Sequence, residues 1–375
     1  MLEFLTKIRR DLHQIPELSF DLLMTHEYVM KLLINMGFET YVTAKTGIIA
    51  IKHGTTNQTI AFRSDMDALP VTEETNVDFK SRFQGKMHAC GHDGHMAMLL
   101  GFAHKIKDIE LKHHGIMLIF QPAEEFPGGA KVIIEEGFLK RFNVIKIFGI
   151  HLYPELEESK FGFVSGAMMA RNGEFNLTLT GKSSHGAQPH HGHDAILATS
   201  HLISQYHTII SRNINPLEPC VLTVGTIEGG EARNIIASRV KIKGTFRAFN
   251  DEVFEHIKQR MASIEKGIEQ SFDVKIEQDF QDFYPVVYND LDIYQHVINQ
   301  FDKSEYNVIE KMTVSEDFSF YQKEVPGMFI MLGTKNVIKE YTYPLHHSKF
   351  NFDEKVLLKG VEYYDRIAKS YQLYT

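Results

Sequence analysis

Apolar residues return every three or four positions at the start of the chain. Leu2, Leu5, Ile8 and Leu12 share one face of a predicted helix over 2–13. A second helical pattern covers 21–36 and stops at Gly37, a suitable residue just past a helix end. The period then changes. Short runs at 46–52 and 59–63 are β-rich, and a polar loop follows, Arg63-Ser64-Asp65-Met66-Asp67-Ala68-Leu69-Pro70. A helix over about 95–107, a strand over Gly115–Phe120, a loop with Glu124 and Glu125, a short helix near 129–136 and a strand over 144–150 continue the series. Strands alternating with helices predict an α/β layer with a largely parallel sheet. Such sheets gather ligands beyond the carboxyl ends of their strands. Gln121–Glu125 and His151 both follow apolar strands directly.

Residues 174–283 read in another order: strand 174–180, helix 194–212, strands 219–227 and 239–249, helix 251–270 and strand 273–283. Val240, Ile242, Gly244, Phe246 and Ala248 alternate with more polar neighbours, the pattern of a half-exposed strand. The order βαββαβ is that of a ferredoxin-like unit. The predicted organisation is therefore a discontinuous catalytic domain, 1–173 and 284–375, interrupted by an inserted domain at 174–283. The insert's sheet has two open edges, which predicts a homodimer formed through it.

Composition narrows the class. A chain of 375 residues with 43% hydrophobic and 23% charged positions is an ordinary globular protein of about two domains. The net charge is −8 and the basic residues are scattered, so neither nucleic acid nor an anionic membrane is an expected partner. No apolar run approaches the ~18 residues of a membrane span. The stretch Met1–Lys7 enters an amphipathic pattern at once and lacks the layout of a signal peptide. With only two cysteines, Cys90 and Cys220, a cytoplasmic enzyme is expected.

Candidate chemistry sits in four short runs: Met87-His88-Ala89-Cys90-Gly91-His92-Asp93-Gly94-His95, Gln121-Pro122-Ala123-Glu124-Glu125, Gly149-Ile150-His151 and Leu345-His346-His347. Each joins His, Cys or Glu to Gly, Pro or the end of an apolar run. Cys90 and His92, two apart on an irregular turn, can face one centre. Adjacent carboxylates point apart on a helix, but on a loop Glu124 and Glu125 can divide labour. One ligates a metal and the other takes a proton from water. Alone, a Glu-Glu pair reads as solvated surface and His151 as a satisfied core residue. Their coincidence with Cys-x-His at the strand ends of one sheet points to metal-assisted hydrolysis. The S, N and O donors suit a zinc-like or manganese-like dication.

These runs, with Asp65-Met66-Asp67-Ala68-Leu69-Pro70, resemble the signatures of the M20 metallopeptidase family, in its amidohydrolase branch. The resemblance continues in order through Gly181-Lys182-Ser183-Ser184-His185-Gly186-Ala187, Asn234-Ile235-Ile236-Ala237, Gly244-Thr245-Phe246-Arg247, Ser315-Glu316-Asp317-Phe318 and Leu345–Phe350. It implies a zinc-peptidase-like catalytic domain and two divalent metal ions (Zn, Mn, Co or Ni) bridged by Cys90. His92 and His151 would complete one centre, Glu125 and His346 the other. Glu124 would be the general base and Asp67 a group that orients a ligand. His185 would stabilise the oxyanion, often from a partner subunit. Asn234 and Arg247 match positions that bind the substrate's carboxylate, and Glu316 an acidic position near the cleft.

The substrate class implied is an N-acyl amino acid. Features such as Pro127-Gly128-Gly129-Ala130 and Asn351-Phe352-Asp353-Glu354 are most similar to the deacetylases of N-acetyl-LL-2,6-diaminopimelate in lysine biosynthesis. A broader N-acyl-L-amino-acid amidohydrolase, of aminoacylase or hippurate hydrolase type, is the close alternative. A non-catalytic binding or scaffold protein is the alternative of another class. Two departures from the pattern are Phe126, where many relatives have Gly, and Ser348, where Pro is common.

Overall fold

The computed structural model describes all residues, 1–375. Backbone contacts divide the chain into two units. Unit 1 comprises Met1–Gly166, Tyr288–Glu310 and Asp317–Thr375; unit 2 comprises Ala167–Val287 and Lys311–Glu316. The short return at 311–316, which sequence reading places in the outer domain, groups with unit 2 because Met312 continues its backbone pairing with Met168 and Ala170.

Unit 1 is built on an eight-stranded sheet. Four strands form its parallel centre, in the order Gly115–Gln121, Thr59–Asp65, Val144–Glu157 and Gly327–Lys335. Gly47–Lys52 runs antiparallel beside Gly115–Gln121, and Glu39–Thr43 closes that edge. The strands Thr59–Asp65 and Gly115–Gln121 are buried along their whole length, as expected where both faces of a parallel sheet are covered. The helix His92–Ile106 is apolar almost all round and lies in the middle of the core, with Leu5, Ile8 and Leu12 of the helix Leu2–His13 in the same cluster. Every parallel strand of the centre therefore ends toward the same edge, and the candidate metal ligands of unit 1 sit at that edge.

Two boundaries near the site differ from the sequence reading. The strand expected at 144–150 continues to Glu157, so His151 lies within it. Even so, its register with Thr59–Asp65 stops at Gly149, opposite Arg63, and His151 projects just past the end of that pairing. The helix expected at 95–107 begins at His92, so His92 and His95 both occupy its first turn. Gly91 makes this possible. It adopts φ +86° between Cys90 and the helix, a conformation that L side chains rarely adopt.

Unit 2 is an antiparallel four-stranded sheet in the order Lys275–Asp282, Arg171–Thr180, Arg239–Ala248 and Cys220–Gly229. In chain order that is fourth, first, third, second, the ferredoxin-like arrangement. The helices Ala195–Thr208 and Asp251–Phe272 pack on one face, with Leu202, Tyr206, Phe254, Ile257 and Met261 buried against Phe175, Leu177 and Phe246. The first strand starts at Arg171 rather than 174, and the first helix passes into a π turn at Ile209–Asn213.

One buried carboxyl group links these helices. Glu265 accepts hydrogen bonds from the Tyr206 hydroxyl and, at 2.6 Å, from Gln278 Nε2. Burial raises its pKa to about 7 against the opposing effect of the Tyr206 hydrogen bond, with Glu269 adding to the rise. The folded state thus holds this proton more tightly than the unfolded chain. Its stabilising contribution is complete below the ordinary carboxyl range and is lost as pH rises through about 7. We expect wild-type thermal stability to fall between pH 5.5 and pH 8 by on the order of 1–3 kcal/mol more than that of Glu265→Gln. Parallel pH profiles for the two proteins in scanning calorimetry would refute the assignment.

Candidate metal centre

The edge of the unit 1 sheet brings together the side chains of four separate segments. Cys90 and His92 come from the turn into the first core helix, and His151 from the long central strand. Glu124 and Glu125 come from the turn after Gly115–Gln121. His346 comes from the loop before the last helix, where it adopts φ +67° and donates its backbone N–H to Ala89 O at 2.9 Å. Cys90 Sγ lies 3.4 Å from His151 Nε2, and Glu125 Oε1 lies 3.3 Å from His346 Nε2. Donor atoms of Cys90, His92 and Glu125 all fall within 4.8 Å of one another.

Each histidine is held in a defined orientation. His92 Nδ1 is 2.7 Å from the backbone carbonyl of Asp67, and His151 Nδ1 is 2.7 Å from that of Leu152. A carbonyl can only accept, so both Nδ1 atoms carry a proton and, in the neutral rings, both Nε2 atoms are left free of one; His151 Nε2 faces Cys90. This arrangement of a histidine fixed through one nitrogen leaves the other to coordinate. His92 Nε2 and Glu125 Oε1 are buried without a hydrogen-bond partner; the contact of Glu125 Oε1 with His346 is close enough for an ion pair but not aligned as a hydrogen bond. Buried polar atoms of this kind are rare without a function. The residues present fit a divalent cation on that ground and on the soft-to-hard range of their donors.

Electrostatics agree. Burial and the neighbouring Glu125, Glu124 and Asp65 push the Cys90 thiol well above its usual range. Burial lowers His92, but Asp65 and Asp67 outweigh it and bring the imidazole up to about 10. Burial drives His151 well below the ordinary histidine value. For Glu125, burial opposes ionisation and the contact with His346 overcomes it, so the carboxyl stays depressed. The cluster therefore concentrates negative charge that protons or a dication must balance.

The Glu124–Glu125 turn is closed tightly. Gly128 and Gly129 both donate their N–H to Ala123 O, at 2.9 and 3.0 Å. A Cβ on Gly129 would come within 1.9 Å of Pro122 O, so only glycine fits there. Asp67 then fixes the two glutamates. Its Oδ1 accepts the N–H of Glu124 at 2.9 Å and its Oδ2 that of Glu125 at 3.2 Å. Burial raises the Asp67 pKa despite the opposing pull of His92.

Two residues with a part in this geometry are not singled out by sequence reasoning. Asp65 ends its strand beside the cluster, and its Oδ1 is 2.6 Å from His95 Nδ1. His95 Nε2 accepts the N–H of Leu152 at 2.9 Å, so both nitrogens of His95 are engaged and it braces the strand that carries His151. Asp65 and His95, with His92 and His151, form a second group of buried metal-ligand types, but these bonds make His95 a support. Both lie inside the quoted motifs. Pattern alone does not tell which of two aspartates or histidines at close spacing has its valences already satisfied.

Unit 2 carries the remaining candidates. His185 and Asn234 are neighbours: His185 bridges Ile235, and Gly186 N donates to Asn234 O at 2.7 Å. Both are exposed, beyond the end of the sheet where Thr180 faces Arg239. Arg247 lies near the other end of the ten-residue strand Arg239–Ala248, a span of about 30 Å. Within one chain the structure therefore separates Asn234 from Arg247. Glu316 is buried at the last position of unit 2.

Comparison with known proteins places these features in a family. Residues 61–370 match the model of peptidase family M20/M25/M40. An uncharacterized hydrolase of Staphylococcus saprophyticus is 37% identical over 376 residues, 99% of this chain and 98% of that one. The N-acetyldiaminopimelate deacetylase of Priestia megaterium is 38% identical over 353 residues, 92% of each chain. Among solved structures, the Bacillus subtilis YXEP protein, described as a dinuclear metal binding peptidase from the M20 family, superposes with a TM-score of 0.86 at 31% identity, covering 99% of this chain and 98% of that one. The chain belongs to peptidase family M20/M25/M40 and is a metal-dependent hydrolase of that family.

Proposed function

We propose that the protein is a two-metal amide hydrolase that deacetylates N-acetyl-LL-2,6-diaminopimelate, releasing acetate and LL-2,6-diaminopimelate. The observation that supports hydrolysis is the convergence of Cys90, His92, His151, Glu125 and His346, with two histidines fixed through Nδ1 and two buried donor atoms lacking hydrogen bonds. In this reading Cys90, His92, His151, Glu125 and His346 would hold two divalent cations (Zn, Mn, Co or Ni). When bound, the cations acidify water and polarise an amide carbonyl. The acetyl substrate is supported by the relative from Priestia megaterium and its name. A biosynthetic role of this kind fits a cytoplasmic enzyme, and no helix is long and apolar enough to cross a membrane.

The chain's own residues then do the following. Glu124, held by its backbone on Asp67, takes a proton from the attacking water as the new C–O bond forms at the amide carbon. It returns that proton to the nitrogen as the C–N bond breaks, giving a free amine and a carboxylic acid. His185 donates a hydrogen bond to the carbonyl oxygen as charge develops there. Asn234 and Arg247 bind the carboxylate of the amino acid, and Glu316 lines the approach.

Glu124→Gln should keep its metal yet lose about 10²-fold or more in kcat, the scale of general-base catalysis. Turnover near wild type in the metal-loaded variant would remove Glu124 from the role of base. The second reading, a broader N-acyl-amino-acid amidohydrolase, is favoured by one feature. Phe126 is exposed directly after Glu125 and offers an apolar surface to an acyl group larger than acetyl. A comparison of kcat/KM for N-acetyl-diaminopimelate, N-acetylated ordinary amino acids and hippurate separates the two. The deacetylase reading expects the first to lead by at least about tenfold, or 1.4 kcal/mol in transition-state binding. Equal or better use of hippurate would replace it with the broader activity.

Features of unit 2 support a homodimer. The strand Cys220–Gly229 lies at an edge of its sheet, and Val221 and Ile227 on it are exposed, as are Ile196 and Leu197 at the start of the neighbouring helix. An edge with apolar side chains invites pairing with a second copy. The separation of Asn234 from Arg247 points the same way, because two chains can bring together what one holds about 30 Å apart. We therefore place His185 and Asn234 over the partner's substrate. Mixing inactive His185→Ala with inactive Glu124→Gln should restore activity approaching about a quarter of wild type, one intact site in each hybrid dimer. No recovery after demonstrated subunit exchange would assign His185 to its own chain or to no chemistry.

A further inference from the structure

The ends of the strands Thr59–Asp65 and Gly115–Gln121 lie side by side, with Asp65 opposite Gln121. A fully buried polar cluster sits at this point. Arg63 donates through Nε to Gln121 Oε1 at 3.0 Å, through Nη1 to Asp65 Oδ2 at 2.9 Å and through Nη2 to Asp317 Oδ1 at 2.9 Å. Gln121 Nε2 donates to both carboxylate oxygens of Asp317, at 2.8 and 2.7 Å. Asp317 Oδ2 also accepts the backbone N–H of Ala130 at 2.9 Å, and Tyr321 OH donates to Gln121 Oε1 at 3.0 Å. Arg63 and Asp65 are each 1% exposed, and Gln121, Asp317 and Tyr321 not at all.

Gln121 and Ala130 are the two ends of the turn that carries Glu124 and Glu125. One carboxylate therefore holds both ends, while Asp67 holds the middle. Through Arg63 the same carboxylate reaches Asp65, which engages His95 Nδ1 and faces His92 Nε2 at 3.7 Å. A buried arginine–carboxylate pair contributes little net stability over a packed apolar pair. What this one supplies is direction: every hydrogen bond of the cluster points along or across the segments that end at the metal centre.

We propose that Asp317 is a positioning residue, which clamps both ends of the Glu124–Glu125 turn and, through Arg63, aims Asp65 at His92 and His95. Both its oxygens are already engaged, by Arg63, Gln121 and Ala130, so it acts through the residues it holds. The proposal rests on the reading that Glu124 and Glu125 act at the metal centre, and its test is separable from that reading because two of its readouts need no substrate.

Asp317→Asn keeps the size of the side chain and removes its charge and one acceptor. In the metal-free full-length protein, hydrogen exchange of the amides in 122–130 should accelerate by about tenfold or more, while the helix His92–Ile106 keeps its protection. Affinity for Zn²⁺ alone, measured by titration, should weaken by about 10–100-fold, the usual cost of losing a support behind a ligand. In the loaded enzyme kcat should fall with KM nearly unchanged. Gln121→Met removes the amide arm and leaves the Arg63–Asp317 pair; it should move the same readouts in the same direction by less. Wild-type exchange in 122–130 together with wild-type Zn²⁺ affinity in folded Asp317→Asn overturns the proposal. If Asp317→Asn does not fold, the same pair of wild-type values in Gln121→Met overturns it. A loosened turn in Asp317→Asn alongside normal turnover in Glu124→Gln would keep the clamp and discard the assigned base.

Discussion

The site depends first on one aspartate. Asp67 uses its backbone carbonyl to orient His92 and its two carboxylate oxygens to hold the N–H groups of Glu124 and Glu125. Three side chains from two segments far apart in sequence thus take their positions from a single residue just past a strand end. The geometry is demanding because the carboxylate is buried and costly to ionise there. His92 beside it, and after that the backbone N–H of Glu124, are what favour the charged form. The sheet supplies the frame for this: parallel strands deliver Asp67, Glu124 and His151 to the same edge, and nothing in the local sequence of any one strand would do so.

Much of the fold was legible because its patterns are strong. The helical spacing of Leu5, Ile8 and Leu12 matches a helix that buries those residues, and the alternation from Val240 to Ala248 matches a strand that buries that face. Boundaries were less legible. In sequence His151 follows an apolar run, yet the strand continues to Glu157, since apolar composition cannot tell where one neighbour's pairing ends and another's continues. The helix start at His92 leaves no apolar period in the sequence, because a left-handed glycine precedes it and polar residues fill its first turn.

The candidate site shows the same division. The residue types that carry chemistry were readable in short motifs, and their proximity in unit 1 is a matter of topology that the alternation of strands and helices already implied. The supports were not readable. His95 shares a motif with Cys90 and His92 and proves to be fully engaged by Asp65 and Leu152. Asp317 looks like an ordinary acidic residue and proves to hold partners from two strands and the start of a helix. Long-range hydrogen bonds of this kind have no period and no spacing.

The cluster is also uneven in its access to water. Cys90 and His151 are each 6% exposed and His92 not at all, whereas the side chain of His346 is 54% exposed and that of Glu125 19%. Solvent thus meets His346 and Glu125 directly and reaches Cys90, His92 and His151 hardly at all. If both groups hold cations as proposed, the outer ion is the more open to a chelator, and the centre would empty in two kinetic phases rather than one.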